Sequence, residues 1–253
     1  MAVPVASEKS LRSRVEEIKA QYAHPRAPIK WNMRDLKSLY KKQKMEEMYT
    51  SLLTSSREWR GEIFSALAES DVTLILACIE SYSANRDKIK VNKEQLTRHS
   101  FSNGLMRFGL HVQETPSDFA LVILDWPDGG NSQPFDSEYS AAFNSGKTRC
   151  GDIKYQCGPL SKLNFVDSAV YANMHHSTLL QVADLIVGAT REVIECCLGK
   201  KDGGQGVDCV RIVKDKFRGA PNNVVGRGIS ISTGNKEFLR SVSDGLKKFV
   251  YVT

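Results

Sequence analysis

The sequence has no apolar stretch long enough to span a bilayer, and its N-terminus lacks the basic start and long apolar region of a secretory signal. It has no C-x-x-C pair, which leaves a structural zinc site with little support. A phosphate-cradling glycine motif such as a P-loop is also absent. These absences argue against a membrane, secreted or zinc-stabilised protein and favour a cytoplasmic location.

The six cysteines are scattered along the chain rather than arranged in a framework. A site shared by Cys150, Cys157 and a histidine is one interpretation of the polar segment that carries them. Reduced thiols in a cytosolic protein are the interpretation we favour.

Length and charge set broad limits. A chain of 253 residues with 41% hydrophobic and 25% charged residues is typical of an ordinary globular protein. We predict one domain over residues 1–253, with a core at about 8–200 and a C-terminal extension at 201–253. The net charge of +6 permits binding to phosphate backbones but does not require it.

Helical and strand patterns alternate along the chain, which predicts an α/β domain. Residues 126–164 are polar and contain several glycines, and we expect them to form a surface excursion. Helices are predicted at 10–21, 33–44, 45–53, 58–69, 92–110 and 177–198, and strands at 72–79, 119–124, 164–168 and 229–232.

The helical run from His176 to Ala189 is apolar almost all round, which predicts a buried helix. One stripe along it, at helical spacing, is polar or small: Ser177, Gln181, Asp184 and Gly188. A buried carboxylate must be paired, metal-bound or neutralised, because burying it alone costs several kcal/mol or more. Asp184 therefore requires a partner.

A second acidic residue, Asp125, ends the apolar strand predicted at 119–124. Function in α/β sheets gathers at strand ends, where side chains reach into a crevice. The turn-rich segment after Asp125 leaves another interpretation open, in which the side chain only caps that turn.

Three features follow one another along the chain: Ile29-Lys30-Trp31, a strand ending in Asp125, and Phe-Val-Asp-Ser followed by Leu-Gln-Val-Ala-Asp-Leu in a helix. Together they resemble the family catalogued as domain of unknown function 3800. The resemblance implies an RNase H-like mixed sheet flanked by helices and a role in phage defence or a mobile element.

Within this resemblance, Asp125 and Asp184 match the second and third acidic positions of the family. Gln181 and Ser168 match the amide on the helix face and the serine before it. Lys30 matches a lysine-containing segment near the site. The family's first motif, Asp-Glu-Ser-Gly at the end of an N-terminal strand, has no counterpart before Asp125, so we expect the first strand of the fold to be missing.

The resemblance implies phosphodiester hydrolysis with two Mg²⁺ or Mn²⁺ ions about 4 Å apart. Such cations prefer oxygen ligands. We expect Asp125 and Asp184 to hold one ion if the strand end and the helix face meet. Lys30 would neutralise them or contact a phosphate, and Gln181 and Ser168 would support them.

The sequence thus predicts a metal-dependent nuclease that acts on DNA or RNA, without a membrane partner. The alternative is a catalytically inactive RNase H-like protein that binds or regulates. A basic segment with Arg34, Lys37, Lys41 and Lys44 would track a nucleic-acid backbone in either case, unless it is only a solvated helix face.

Overall fold

The computed structural model describes residues 1–80, 93–127 and 130–251. The chain divides into two compact units. Unit 1 comprises Met1–Leu74, Asn173–Pro221 and Arg240–Thr253. Unit 2 comprises Ile75–Ala172 and Asn222–Leu239. Helices, together with short parallel strands in unit 2, make up the regular structure of the described residues, so the α/β class is confirmed.

Unit 1 is built from helices. They are α1 (Val5–Tyr22), α2 (Lys37–Lys42), α3 (Glu46–Thr54), α4 (Ser56–Glu69), α7 (Thr178–Cys197), α8 (Gln205–Ile212) and the part of α10 (Lys236–Phe249) from Arg240 onward. A 3-10 turn at Met33–Leu36 leads directly into α2. The predicted basic helix at 33–44 is therefore present, but in two pieces.

The core of unit 1 forms around α7. Apolar residues recur along α1 and α4 at helical spacing, and they are buried with those of α7. The fully buried set includes Leu11, Val15, Ile18, Trp59, Ile63, Val182, Leu185, Ala189 and Val193. Ser177 begins α7 as its N-cap, with its side chain accepting from the Leu180 amide. The buried helix predicted at 177–198 is confirmed.

Over its described residues, unit 2 contains two separate pairs of parallel strands. In one pair, β1 (Leu76–Ile79) lies beside β4 (Ile229–Ser232). In the other, β2 (Ile123–Asp125) lies beside β3 (Val170–Ala172). The strands predicted at 72–79 and 119–124 are thus shorter than expected. The strand predicted at 164–168 is replaced by β3, which begins at Val170, because Phe165 makes only an isolated bridge to Ala120.

The helices of unit 2 are α5 (Lys93–Glu114), α6 (Gln133–Ser145) and the short turn α9 (Val224–Arg227). The apolar faces of α5 and α6 contribute to a cluster that includes Leu105, Tyr139, Ala142, Leu160 and Phe165. Helix α6 lies inside the 126–164 segment, where we expected an irregular excursion. No helix in the described ranges combines the length and apolar character needed to cross a membrane.

Candidate functional site

The polar stripe of α7 contacts the N-terminal segment of unit 1. The Asp184 side chain accepts a hydrogen bond from the Trp31 amide, with 2.8 Å between Oδ2 and N. The partner that this half-buried carboxylate requires is therefore a backbone N–H more than 150 residues away. A charge-assisted bond of this kind fixes the position of the chain at Trp31.

One turn earlier on α7, Gln181 binds a lysine that we did not predict to be buried. Lys19 is 1% exposed, and its ammonium donates to Gln181 Oε1 over 3.0 Å and to the Ala27 carbonyl over 2.9 Å. The Gln181 amide nitrogen donates to the Met174 carbonyl over 3.0 Å. Gln181 thus links α1 to the turn that precedes α7.

Burial strongly affects the charge on Lys19. Because desolvation disfavours the ammonium form, it lowers the pKa of Lys19 from 10.5 to about 8, while the nearby Glu16 carboxylate opposes this shift. The lysine remains protonated at neutral pH, which lets it donate to both of its acceptors. Its pKa of about 8 therefore lies only slightly above neutral pH.

One turn after Asp184, Gly188 makes room for the Trp31 side chain. A Cβ atom at residue 188 would lie 2.1 Å from Trp31 Cγ and 2.3 Å from its Cβ. Only glycine can accept the indole at this distance. Gly188, at the C-terminal end of the stripe, therefore packs against the Trp31 side chain.

Arg60 of α4 covers the other side of Trp31. Its guanidinium carbon lies 4.5 Å from the Trp31 ring centre and 5.0 Å from that of Trp59. Arg60 also donates to the Trp31 carbonyl, and to Gln205 Oε1 over 2.9 Å. A cation on two aromatic faces gains cation–π attraction in addition to these hydrogen bonds.

The environment of Arg60 is partly desolvated. Burial lowers the pKa of the guanidinium, and the negative charges of Glu192 and Asp184 oppose that effect. Asp184 therefore acts on both ends of the arrangement: it accepts from the Trp31 amide and favours the charge of the arginine stacked on the Trp31 ring.

In unit 2, Asp125 is exposed at the carboxyl end of β2. Its Oδ1 accepts from the next residue's amide, Trp126 N, over 2.9 Å. This is the turn-capping contact that we considered as an alternative. β2 and β3 run parallel, and Asp125 lies opposite Ala172 at the carboxyl end of the pair. Ser168 precedes β3, so it lies at the opposite, amino end of the two strands.

The remaining predicted residues lie in unit 1. Lys30 is half-buried. It directly precedes Trp31, whose amide donates to the Asp184 carboxylate. Gln181 and Asp184 share one face of α7, while Asp125 and Ser168 belong to unit 2. Over the described ranges, no three His, Cys, Asp or Glu side chains are grouped so that they could hold a metal ion.

Unit 1 also carries a continuous basic segment that we call the α2 basic face. It consists of five exposed cations: Arg34, Lys37, Lys41, Lys42 and Lys44. Beside it lies a concave pocket of about 210 Å³, which Leu39 and Gln43 share with His24, Arg26, His175 and His176. The adjacent residues His175 and His176 therefore border a basic concavity.

Two important residues, Lys19 and Arg60, were missed from sequence. The signal for Lys19 was its position four residues after Val15, on the buried face of α1. The pattern gave no comparable sign for Arg60, since its stacking depends on Trp31 from another segment.

No family model, curated protein or solved structure matches the chain. The functional proposal therefore depends on the charges and contacts of these residues.

Proposed function

We propose that this protein binds nucleic acid through the α2 basic face of unit 1. The observation that carries the proposal is the distribution of charge between the two units. Unit 1 has 23 Lys and Arg against 17 Asp and Glu, which accounts for the whole net charge of +6, whereas unit 2 has 12 of each. Such an asymmetric charge favours association with a polyanion.

The local arrangement supports the same function. Five cations stand exposed within residues 34–44, and the one acidic residue among them, Asp35, accepts from Asn32 Nδ2 over 2.7 Å. None of the five forms an ion pair with another residue in the described part of the chain. Cations that lack internal partners remain able to displace the counterions of a phosphate backbone.

The neighbouring pocket would add contacts of a different kind. Arg26 lies at its edge and pairs with Glu16 over 3.0 Å, which holds the guanidinium in place. Imidazole rings at His24 and His176 offer flat surfaces and hydrogen-bond donors to an unstacked base. The concavity therefore suits a single-stranded segment better than a smooth duplex.

The test compares two triple variants with equal changes in charge. Lys37→Gln, Lys41→Gln and Lys42→Gln remove exposed cations from α2, whereas Lys9→Gln, Lys200→Gln and Lys247→Gln remove exposed cations elsewhere in unit 1. Binding of labelled single-stranded and duplex oligonucleotides is measured by fluorescence anisotropy at salt concentrations between about 50 and 200 mM.

We expect the α2 variant to reduce the slope of log K against log salt by up to about 3, since each phosphate contact contributes about 0.7–0.9. The control variant should keep the wild-type slope. Equal loss of binding in both variants would assign the attraction to diffuse net charge and remove the α2 basic face from the proposal.

Metal-dependent cleavage of the bound nucleic acid is the second candidate function. The observation that favours it is the exposed Asp125 at the carboxyl end of a parallel strand, the position at which α/β proteins carry function. Carboxylate oxygens suit Mg²⁺ or Mn²⁺. The described residues do not supply a complete ligand group, so we derive no catalytic step through a metal.

Cleavage has a direct test. Purified protein should cut DNA or RNA only when Mg²⁺ or Mn²⁺ is present, and Asp125→Asn or Asp184→Asn should abolish this without unfolding the protein, as monitored by circular dichroism. Cutting that survives both substitutions would reject the RNase H-like nuclease. The RNase H-like fold, the phage-defence setting and the cytoplasmic location stay predictions.

A further inference from the structure

Unit 2 contains a cleft that none of the predicted residues lines. It measures about 380 Å³, within the range of small-molecule sites. Its lining comes from β1, β4, α5 and residues 153 and 155, all of which belong to unit 2. This cleft is independent of the α2 basic face.

The cleft lies at the carboxyl ends of two paired strands. Ile79 of β1 pairs with Ser232 of β4, and Glu80 and Thr233 continue from these ends into the cleft lining. Open parallel sheets present ligand sites at this edge, because side chains there reach past the core. The position of the cleft is therefore the one that sheet topology favours for a ligand.

Its polar groups are held in fixed positions. Asn103 of α5 donates from Nδ2 to Ser232 Oγ over 2.9 Å, and its Oδ1 accepts from Ser230 Oγ over 2.8 Å. Thr233 donates its hydroxyl to Glu80 Oε2 and accepts from the Asn235 amide over 2.9 Å. The hydroxyl of Ser232 and the carboxylate of Glu80 are thus oriented before any ligand arrives.

The same contacts leave hydrogen-bonding capacity for a ligand. Ser232 Oγ accepts from Asn103, so its own proton is available for donation. Glu80 Oε1 has no partner among the residues that the structure describes. A ligand would therefore meet one strong acceptor and one donor side by side.

The remaining surface sets the character of the ligand. Apolar side chains of Ile79, Leu96, Met106 and Ile153 line the cleft, and no Lys or Arg does so within the described ranges. The Glu80 carboxylate would repel a phosphate, and in the described lining only the His99 imidazole could offer a counter-charge. The cleft therefore disfavours anions and favours a molecule with a flat or apolar body.

We propose that this cleft binds a small organic molecule that brings a hydrogen-bond donor group, a hydroxyl pair or an ammonium, to Glu80 and lays an apolar body against Leu96, Met106 and Ile153. A ribonucleoside without phosphate supplies the hydroxyl pair, and an arylalkylamine supplies the ammonium. Carboxylates at strand ends commonly accept from sugar hydroxyls in this way.

Adenosine and tryptamine serve as probes of the two donor groups. Each is titrated into the full-length ¹⁵N-labelled protein, and the amide shifts of residues 80, 99, 103 and 232–234 are followed. Adenosine 5′-monophosphate tests the exclusion of phosphate. Glu80→Gln removes the carboxylate charge, and Glu237→Gln makes the same chemical change at an exposed position of unit 2 that does not line the cleft.

We expect at least one of the two probes to shift the cleft amides and to bind at least tenfold more weakly to Glu80→Gln, with Glu237→Gln unchanged. Binding of adenosine identifies the hydroxyl pair, and binding of tryptamine identifies the ammonium. The proposal is overturned if neither probe shifts these amides, if Glu80→Gln binds them as well as wild type, or if adenosine 5′-monophosphate binds more tightly than adenosine.

Discussion

Lys19 and Gln181 meet inside unit 1, where the lysine ammonium donates to the glutamine side-chain oxygen over 3.0 Å. The two residues are 162 positions apart in the sequence. Their contact joins α1 to α7 through polar atoms within a largely apolar interior. It also places a titrating group where the stability of the fold responds to its charge.

Lys19 should make stability depend on pH. Its pKa is 10.5 in the unfolded chain and about 8 in the folded protein, so between these values the unfolded state binds more protons. The free energy of unfolding should therefore rise as pH increases from about 8 to about 10.5. A shift of this size corresponds to about 3 kcal/mol, and none of that gain is present at pH 7.

Urea unfolding at several pH values between 7 and 10 would measure this effect. Lys19→Met should lose the rise, while Lys9→Met, at an exposed position of the same helix, should keep it. Tyrosine and cysteine titrations are common to both variants and cancel in the comparison. Identical pH profiles for the two variants would contradict the burial of the charge.

Gly188→Ala should destabilise the protein. Replacing a helical glycine by alanine ordinarily stabilises by about 1 kcal/mol, but here the new methyl group would overlap the Trp31 ring. Overpacking of this kind costs about 1–3 kcal/mol, so we expect a net loss in the free energy of unfolding. Denaturant titration measures it.

Gly61 is the matched control, because a Cβ there would meet nothing within 4 Å on helix α4. Gly61→Ala should stabilise by about 0.5–1 kcal/mol. In a Trp31→Ala background, Gly188→Ala should lose most of its penalty. If Gly188→Ala proves as stabilising as Gly61→Ala, the indole does not occupy this position.

Asp184→Ala should cost about 1.5–3 kcal/mol, since it removes the charged acceptor of the Trp31 amide. Asp184→Asn should cost less, because it keeps an acceptor oxygen and loses only the charge near Arg60. Asp208→Ala is the comparison: its carboxylate forms an exposed ion pair with Arg57 over 3.4 Å, worth less than about 1 kcal/mol. Equal costs for Asp184→Ala and Asp208→Ala would contradict a stabilising role for the hydrogen bond between Asp184 and the Trp31 amide.

Thiol reactivity should divide the six cysteines into two groups. Cys150 is exposed, whereas burial raises the pKa of Cys78 and Cys197 to about 11 and that of Cys209 to about 12. Ellman's reagent at pH 8 should therefore modify Cys150 rapidly and the others only after unfolding. Cys150→Ser should abolish the rapid phase, and a rapid phase that persists would contradict the burial pattern.

The sequence predicted the parts of this fold that depend on local pattern. The limits of α7 and the stripe through Gln181, Asp184 and Gly188 follow from helical spacing. The partners of that stripe could not be predicted, because they arrive from residues 19–31. Spacing indicates that a carboxylate needs a partner but not which segment supplies it.

Helix α6 shows a different reason for failure. Its sequence begins with Gln133 and Pro134 after a run of glycine and polar residues, which together are typical of a loop. The helical signal was present in Phe135, Tyr139 and Ala142, whose spacing places them on one face. Proline at the first turn is compatible with a helix, so the composition of the surroundings concealed the pattern.

The contacts of Asp184 and Gly188 with Trp31 affect the order in which unit 1 can be completed. During synthesis, residues 19–31 emerge long before α7, the helix that binds them. Until α7 is complete, Lys19 and Trp31 lack their contacts with Gln181, Asp184 and Gly188. Contacts between such distant segments slow folding, because loop closure precedes any gain from packing. A nascent chain that stops before residue 188 would therefore present a basic segment and an unshielded indole to the cell's chaperones.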